Sequence, residues 1–128
     1  MSDRAKILLV EDNAVSADML SRRLVNRGYA VVIASDGLQA VARAGADEPD
    51  LILMDISLPE INGLEATKRI KTNPVTEHIP IIALTAHAMT SDRDTCLAAG
   101  CQDFETKPVD MKVLLEKIDQ QLVEATFR

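Results

Sequence analysis

The sequence predicts an α/β domain with a doubly wound, five-stranded parallel sheet in the order 2-1-3-4-5. Three observations carry that expectation. Short apolar runs alternate five times with stretches whose apolar residues recur at helical spacing, the pattern of strands joined by crossover helices. The runs at 7–10, 51–54 and 81–84 are continuously apolar, as strands buried on both faces are. Right-handed crossovers and the switch-point rule then select the order.

Residues 6–10 form the first predicted strand. Glu11-Asp12-Asn13 follows, and Asn13 or Asp12 suits the N-cap of the next helix. Across residues 14–27, Ala17, Leu20, Leu24 and Gly28 recur at helical spacing, and Gly28 fits the position that ends a helix. Residues 29–34 are short and β-branched, hence the second strand. Ser35-Asp36-Gly37 opens a helix with Leu38, Val41, Ala42 and Gly45 on one face, and Glu48-Pro49-Asp50 stops it.

Leu51-Ile52-Leu53-Met54 then runs straight into Asp55, at the carboxyl end of the third strand. Residues 59–63 carry turn chemistry, and a helix follows from about 64 to 71. Residues 72–80 are a polar connection to the fourth strand, 81–84. The fourth helix, roughly 91–99, has Leu97 as its main large apolar residue and ends at Gly100. So weak an anchor marks it as a candidate for motion. Residues 102–106 form the fifth strand. Asp110 caps a last helix in which Leu114, Ile118 and Leu122 repeat every four residues. The expected architecture is flavodoxin-like, a single domain over 1–128 with its core at about 6–122.

The chain's 128 residues are 47% apolar and 27% charged, which fits one domain with a proper core. Aromatics are limited to Tyr29, Phe104 and Phe127, so the core is aliphatic and Phe104 stands out. The net charge of −6, without a Lys/Arg cluster, argues against a nucleic-acid partner. No apolar stretch approaches the ~20 residues of a membrane span. The N-terminus leads directly into the first strand and leaves no room for a signal peptide, so a cytoplasmic location is expected. Cys96 and Cys101 lack CxxC or zinc spacing and read as cytosolic thiols near the core.

Open α/β sheets place ligands beyond the carboxyl ends of their strands. Here those ends carry Glu11-Asp12, Asp55, Thr85 and Lys107-Pro108. Glycine-rich dinucleotide and P-loop motifs are absent, as is a serine-hydrolase elbow. An acidic first loop repels phosphate unless a cation lies between them. Glu11, Asp12 and Asp55 offer the hard oxygen ligands that Mg2+ takes. Asp55 then suits a nucleophile that forms an aspartyl phosphate, with Lys107 and Thr85 turned to the phosphoryl oxygens. Taken singly, each has a plain reading: Asp12 or Asn13 as a cap, Asp55 as a turn residue, Thr85 as strand-end filler, Phe104 as core, Lys107 as a solvated lysine.

In order, the Glu11-Asp12 pair, Asp55 in Leu53-Met54-Asp55-Ile56-Ser57-Leu58-Pro59, Thr85-Ala86 and Lys107-Pro108 resemble the response regulator receiver domains of two-component signalling. The resemblance extends from about residue 6 to 122. It is greatest to stand-alone chemotaxis and cell-cycle receivers and to receiver modules of hybrid kinases. It implies Asp55 as phosphoacceptor, and a histidine kinase or histidine phosphotransfer protein as donor. It implies Mg2+ bound by Asp12, Asp55, the Ser57 backbone carbonyl and, largely through water, Glu11. It implies Thr85 and Phe104 as a switch pair and a cis Lys107-Pro108 bond. Ser57 and His87 occupy positions that tune phosphoryl lifetime in the family.

The expected output is contact with an unidentified downstream protein or onward phosphotransfer, by a monomer or weak dimer that is not a turnover enzyme. Two other classes compete. Phosphatases with an aspartate nucleophile resemble one another in a second Asp two residues on, where this chain has Ser57. A constitutive binding module leaves the gathered carboxylates without a purpose, since their mutual repulsion costs stability.

Overall fold

Five strands and five helices alternate along the chain among the residues that the computed structural model describes, 4–56, 58, 62–85 and 90–126. They are β1 Lys6–Val10, α1 Ala14–Asn26, β2 Ala30–Ala34, α2 Gly37–Asp47 and β3 Leu51–Asp55. Then come α3 Gly63–Thr72, β4 Ile81–Thr85, α4 Thr90–Ala99, β5 Asp103–Thr106 and α5 Met111–Thr126. The strands form one sheet in the order β2-β1-β3-β4-β5, and all four pairings are parallel. This is the expected doubly wound topology.

The continuous apolar runs alternate between two cores. Leu8, Val10, Ile52, Met54, Ile81 and Ala83 face one layer, with Ala40 and Ala44 of α2, Ala66 and Ile70 of α3 and Cys96 of α4. Ile7, Leu9, Leu51, Leu53, Ile82 and Leu84 face the other, with Ala17 and Leu24 of α1 and Leu114 and Ile118 of α5. Full burial of each large aliphatic side chain contributes about 1.5–3 kcal/mol, so these strands hold the sheet together.

Helix starts follow the side chains. Asn13, Asp36 and Asn62 accept hydrogen bonds from Ser16 N, Gln39 N and Glu65 N at 3.0, 2.8 and 2.9 Å. Each such cap is worth about 1 kcal/mol. The cap of α1 is Asn13, which leaves Asp12 exposed and its carboxylate uncommitted to capping. Gly28 and Gly100, at φ 96° and 113°, close α1 and α4 in a conformation that favours glycine. No helix among the described residues is long and apolar enough to cross a membrane.

Two helices present a different face from the one expected. In α2 the buried stripe is Gly37, Ala40 and Ala44, flanked by Val41, while Leu38 is exposed. Both stripes have spacing i, i+3, i+4, i+7 and differ by one residue, so periodicity could not separate them. Packing against α3 and β1 selects the small residues. In α4 the anchors are Cys96 and Ala99, and Leu97 is exposed. The third helix also starts one residue earlier than expected, at Gly63.

Candidate functional site

The sheet's backbone ladder continues beyond the strands and fixes the site. Glu11 N donates to Ala34 O at 3.0 Å, Ile56 N to Leu84 O at 3.0 Å and Lys107 N to Thr85 O at 2.7 Å. Glu11, Asp55 and Lys107, from three separate stretches, are thereby aligned at one edge. Asp55 and Glu11 are buried, with 3% and 5% exposure, while Asp12 is exposed at the rim.

Carboxylate oxygens of Glu11, Asp12 and Asp55 lie within 4.8 Å of one another. Lys107 Nζ donates to Glu11 Oε1 at 2.9 Å and to Asp55 Oδ2 at 3.1 Å. Asn13 N donates to the other Glu11 oxygen, Oε2, at 3.2 Å. The Lys107-Pro108 bond is cis, as the resemblance implied.

Electrostatics follow from this crowding. Burial raises the Glu11 carboxyl above its ordinary range, and Asp55 adds to the rise. Lys107 and the Asn13 amide oppose it without cancelling it. Burial alone would lower the Lys107 ammonium, but its hydrogen bonds to Glu11 and Asp55 outweigh that and hold it above the usual lysine value. Three carboxylates gathered this closely fit a hard divalent cation, which satisfies more charge than one ammonium can.

Thr85 ends β4 and is buried. Phe104 in β5 pairs with Ala83, and Thr106 pairs with Thr85. Side chains at 83, 85, 104 and 106 therefore share one face, which places Thr85 diagonally from Phe104. Phe104 is partly buried against the core beneath α4. Ser57 lies outside the described residues, as do His87 and Phe127.

Some contributors were not singled out in the sequence. The sequence places Gly63 in a loop, yet a Cβ there would stand 2.2 Å from Asp55 O and 2.8 Å from Ile56 Cα. Its N–H donates to Ile56 O at 3.1 Å. The Asn62-Gly63 pair was the available signal. Arg93 and Lys117, which flank Phe104, left no mark in the sequence. A cleft of about 450 Å³ opens beside Glu11 and Lys107, lined by Ser16, Met19, Val109 and Met111 among others.

The family model of the response regulator receiver domain matches residues 7–119. The chain belongs to that family. As a receiver domain of two-component signalling it has relatives of two kinds. It is 38% identical over 119 residues to the polar-differentiation response regulator DivK of Brucella anthropi, covering 93% of this chain and 97% of that protein. It is 41% identical over 124 residues to hybrid signal transduction histidine kinase I of Dictyostelium discoideum, covering 91% of this chain but only 7% of that protein. A solved structure of the receiver domain of sensor histidine kinase PA1611 from Pseudomonas aeruginosa is also similar. It has a TM-score of 0.86 and 39% identity, and the match covers 93% of this chain and 98% of that one. That structure has a magnesium ion coordinated in its active site cleft.

Proposed function

We propose that this receiver domain is a phosphorylation-dependent switch. Asp55 accepts a phosphoryl group from a histidine kinase or histidine phosphotransfer protein, and the modified domain presents a changed surface to a downstream protein. The observation that carries this reading is the Lys107 ammonium, held between Glu11 Oε1 and Asp55 Oδ2 at 2.9 and 3.1 Å. A buried carboxylate beside a fixed cation, within an acidic cluster, is a nucleophile with its charge stabilisation in place.

In the step proposed, an Asp55 carboxylate oxygen attacks phosphorus. The new O–P bond forms as the N–P bond of the donor phosphohistidine breaks, and the leaving imidazole takes a proton. Lys107 stays near Asp55 and turns its free N–H groups to the phosphoryl oxygens. Thr85 donates its hydroxyl to the same group, and Phe104 follows inward. Glu11, Asp12, Asp55 and the Ser57 backbone carbonyl would hold Mg2+, which shields the negative charge of the incoming phosphoryl group. The domain promotes its own phosphorylation and dephosphorylation without turning over an external substrate. It works in the cytoplasm as a monomer or weak dimer, without nucleic-acid contact.

Its similarity to part of a hybrid kinase favours a second setting for the same chemistry, a receiver module within a longer phosphorelay protein.

The test is intact-mass spectrometry after incubation with Mg2+ and acetyl phosphate, wild type beside Asp55→Ala. One phosphoryl adduct on wild type alone is expected. No adduct from acetyl phosphate or a phosphoramidate, with the fold intact, overturns the proposal.

A further inference from the structure

Phe104 is bracketed by two cations that the chemistry at Asp55 does not use. Arg93 Cζ of α4 lies 5.6 Å from the ring centroid, and Lys117 Nζ of α5 lies 5.5 Å from it. Both are within the ~6 Å at which a cation is attracted by a ring's electron-rich face. The two helices belong to opposite layers. The ring packs in the layer of α4, so Lys117 reaches it around the free edge of β5, the last strand of the sheet.

Lys117 is fixed on that edge by other groups. Its ammonium donates to Phe104 O and pairs with Asp103 Oδ1 at 3.6 Å and Glu105 Oε2 at 3.4 Å. Buried Glu105 Oε2 accepts no hydrogen bond among the described residues, so the ammonium is its nearest compensation. Moving Lys117 away would leave that anion uncompensated. Ring and cation are thus unequal partners: Lys117 is pinned to the backbone and two carboxylates, whereas the ring is free of polar ties. Any rotation of Phe104 away from this position gives up the cation contact and leaves the cation where it was.

The geometry points to Lys117 as a positioning residue that sets the resting state of the switch. It holds Phe104 in the arrangement seen here, with Arg93 as a weaker second clasp, and thereby opposes the phosphorylated state. This rests on the proposed function, in which Phe104 leaves the position seen here when Asp55 is phosphorylated. By linkage, whatever stabilises the resting ring position lowers the apparent affinity for the phosphoryl group, and removing it raises that affinity.

The experiment measures phosphorylated fraction against acetyl phosphate concentration, with Mg2+, for wild type, Lys117→Met, Lys117→Arg, Arg93→Met, Phe104→Leu and Lys117→Met with Phe104→Leu. Lys117→Met is expected to lower the half-saturating donor concentration about two- to five-fold, as befits one partly exposed cation–ring contact. Lys117→Arg should restore the wild-type value, and Arg93→Met should shift it in the same direction by less. In the Phe104→Leu background Lys117→Met should have no effect, which a merely structural role for Lys117 would not produce. Fluorophenylalanine labelling gives a direct readout, because the chain has only two phenylalanines. The Phe104 fluorine resonance of unphosphorylated Lys117→Met should move toward its position in phosphorylated wild type. If wild type is phosphorylated but Lys117→Met matches it in half-saturation and resonance, the clasp is refuted while the phospho-switch stands. If wild type takes no phosphoryl group, both fall. Should Lys117→Met unfold, Arg93→Met decides alone: an unchanged half-saturation refutes the clasp.

Discussion

Lys107 and Asp55 are 52 residues apart in sequence, yet the Lys107 ammonium donates to Asp55 Oδ2 at 3.1 Å. The same ammonium binds Glu11 Oε1 at 2.9 Å, so one cation serves two buried carboxylates. Lys107→Met should therefore destabilise the protein in EDTA by about 1–3 kcal/mol, less than for a fully buried pair because the ammonium is partly solvated. Urea unfolding checks this. Millimolar Mg2+ should recover most of the loss, and an equal loss with and without Mg2+ would count against cation binding by the cluster.

Glu11 supplies a pH signature. Burial holds its carboxyl above the ordinary 4.5 in the folded state. Between 4.5 and that raised value the folded protein binds more protons than the unfolded chain, so this contribution to stability falls as pH rises. Glu11→Gln should be at least as stable as wild type near pH 7 in EDTA and lose its relative advantage below pH 4.5. Lys107 acts at the other end. Its raised value gives stability that is full below 10.5 and is lost as pH climbs through the higher folded value. Urea midpoints across both windows would show the two slopes.

Gly63 should not tolerate a methyl group. A Cβ 2.2 Å from Asp55 O must displace β3 or α3. Gly63→Ala is expected to cost about 1–3 kcal/mol, as overpacking does, and to slow phosphorylation of Asp55 by shifting its backbone. Wild-type stability together with wild-type phosphorylation would show that the approach relaxes at no cost.

The two thiols should be inert in the folded protein. Cys96 and Cys101 are buried, and burial pushes the Cys101 thiol up to about 12. Ellman's reagent at pH 8 should label neither within minutes and both in urea. Rapid labelling of the native protein would contradict the packing of α4 against β5.

Asp55→Asn and Asp12→Ala should each weaken Mg2+ binding about tenfold or more by calorimetry, because each removes a charged ligand from a cluster within 4.8 Å. An unchanged affinity would place the cation elsewhere.

Much of this protein could be read in one dimension. The continuously apolar runs of β1, β3 and β4 announced strands buried on both faces, because no other element of that length hides every side chain. Asn13 and Asp36 announced helix starts by their capping side chains, and Gly28 a helix end by its backbone freedom. Parallel strands share an edge at their carboxyl ends, so the sequence alone groups Glu11, Asp12, Asp55, Thr85 and Lys107.

Tertiary structure decided whatever depended on rotation about a helix axis or on contacts from another layer. The buried faces of α2 and α4 each differ by one residue from the face expected, a turn of about 100° that periodicity does not fix when both stripes contain apolar residues. Only the packed sheet placed Lys107 between two carboxylates, brought Gly63 against Asp55 O and carried Lys117 around the edge of β5 to Phe104. A sequence specifies which residues are polar and how often they recur. Which side chains meet across 13 or 96 residues of chain is set by the sheet that both must pack against.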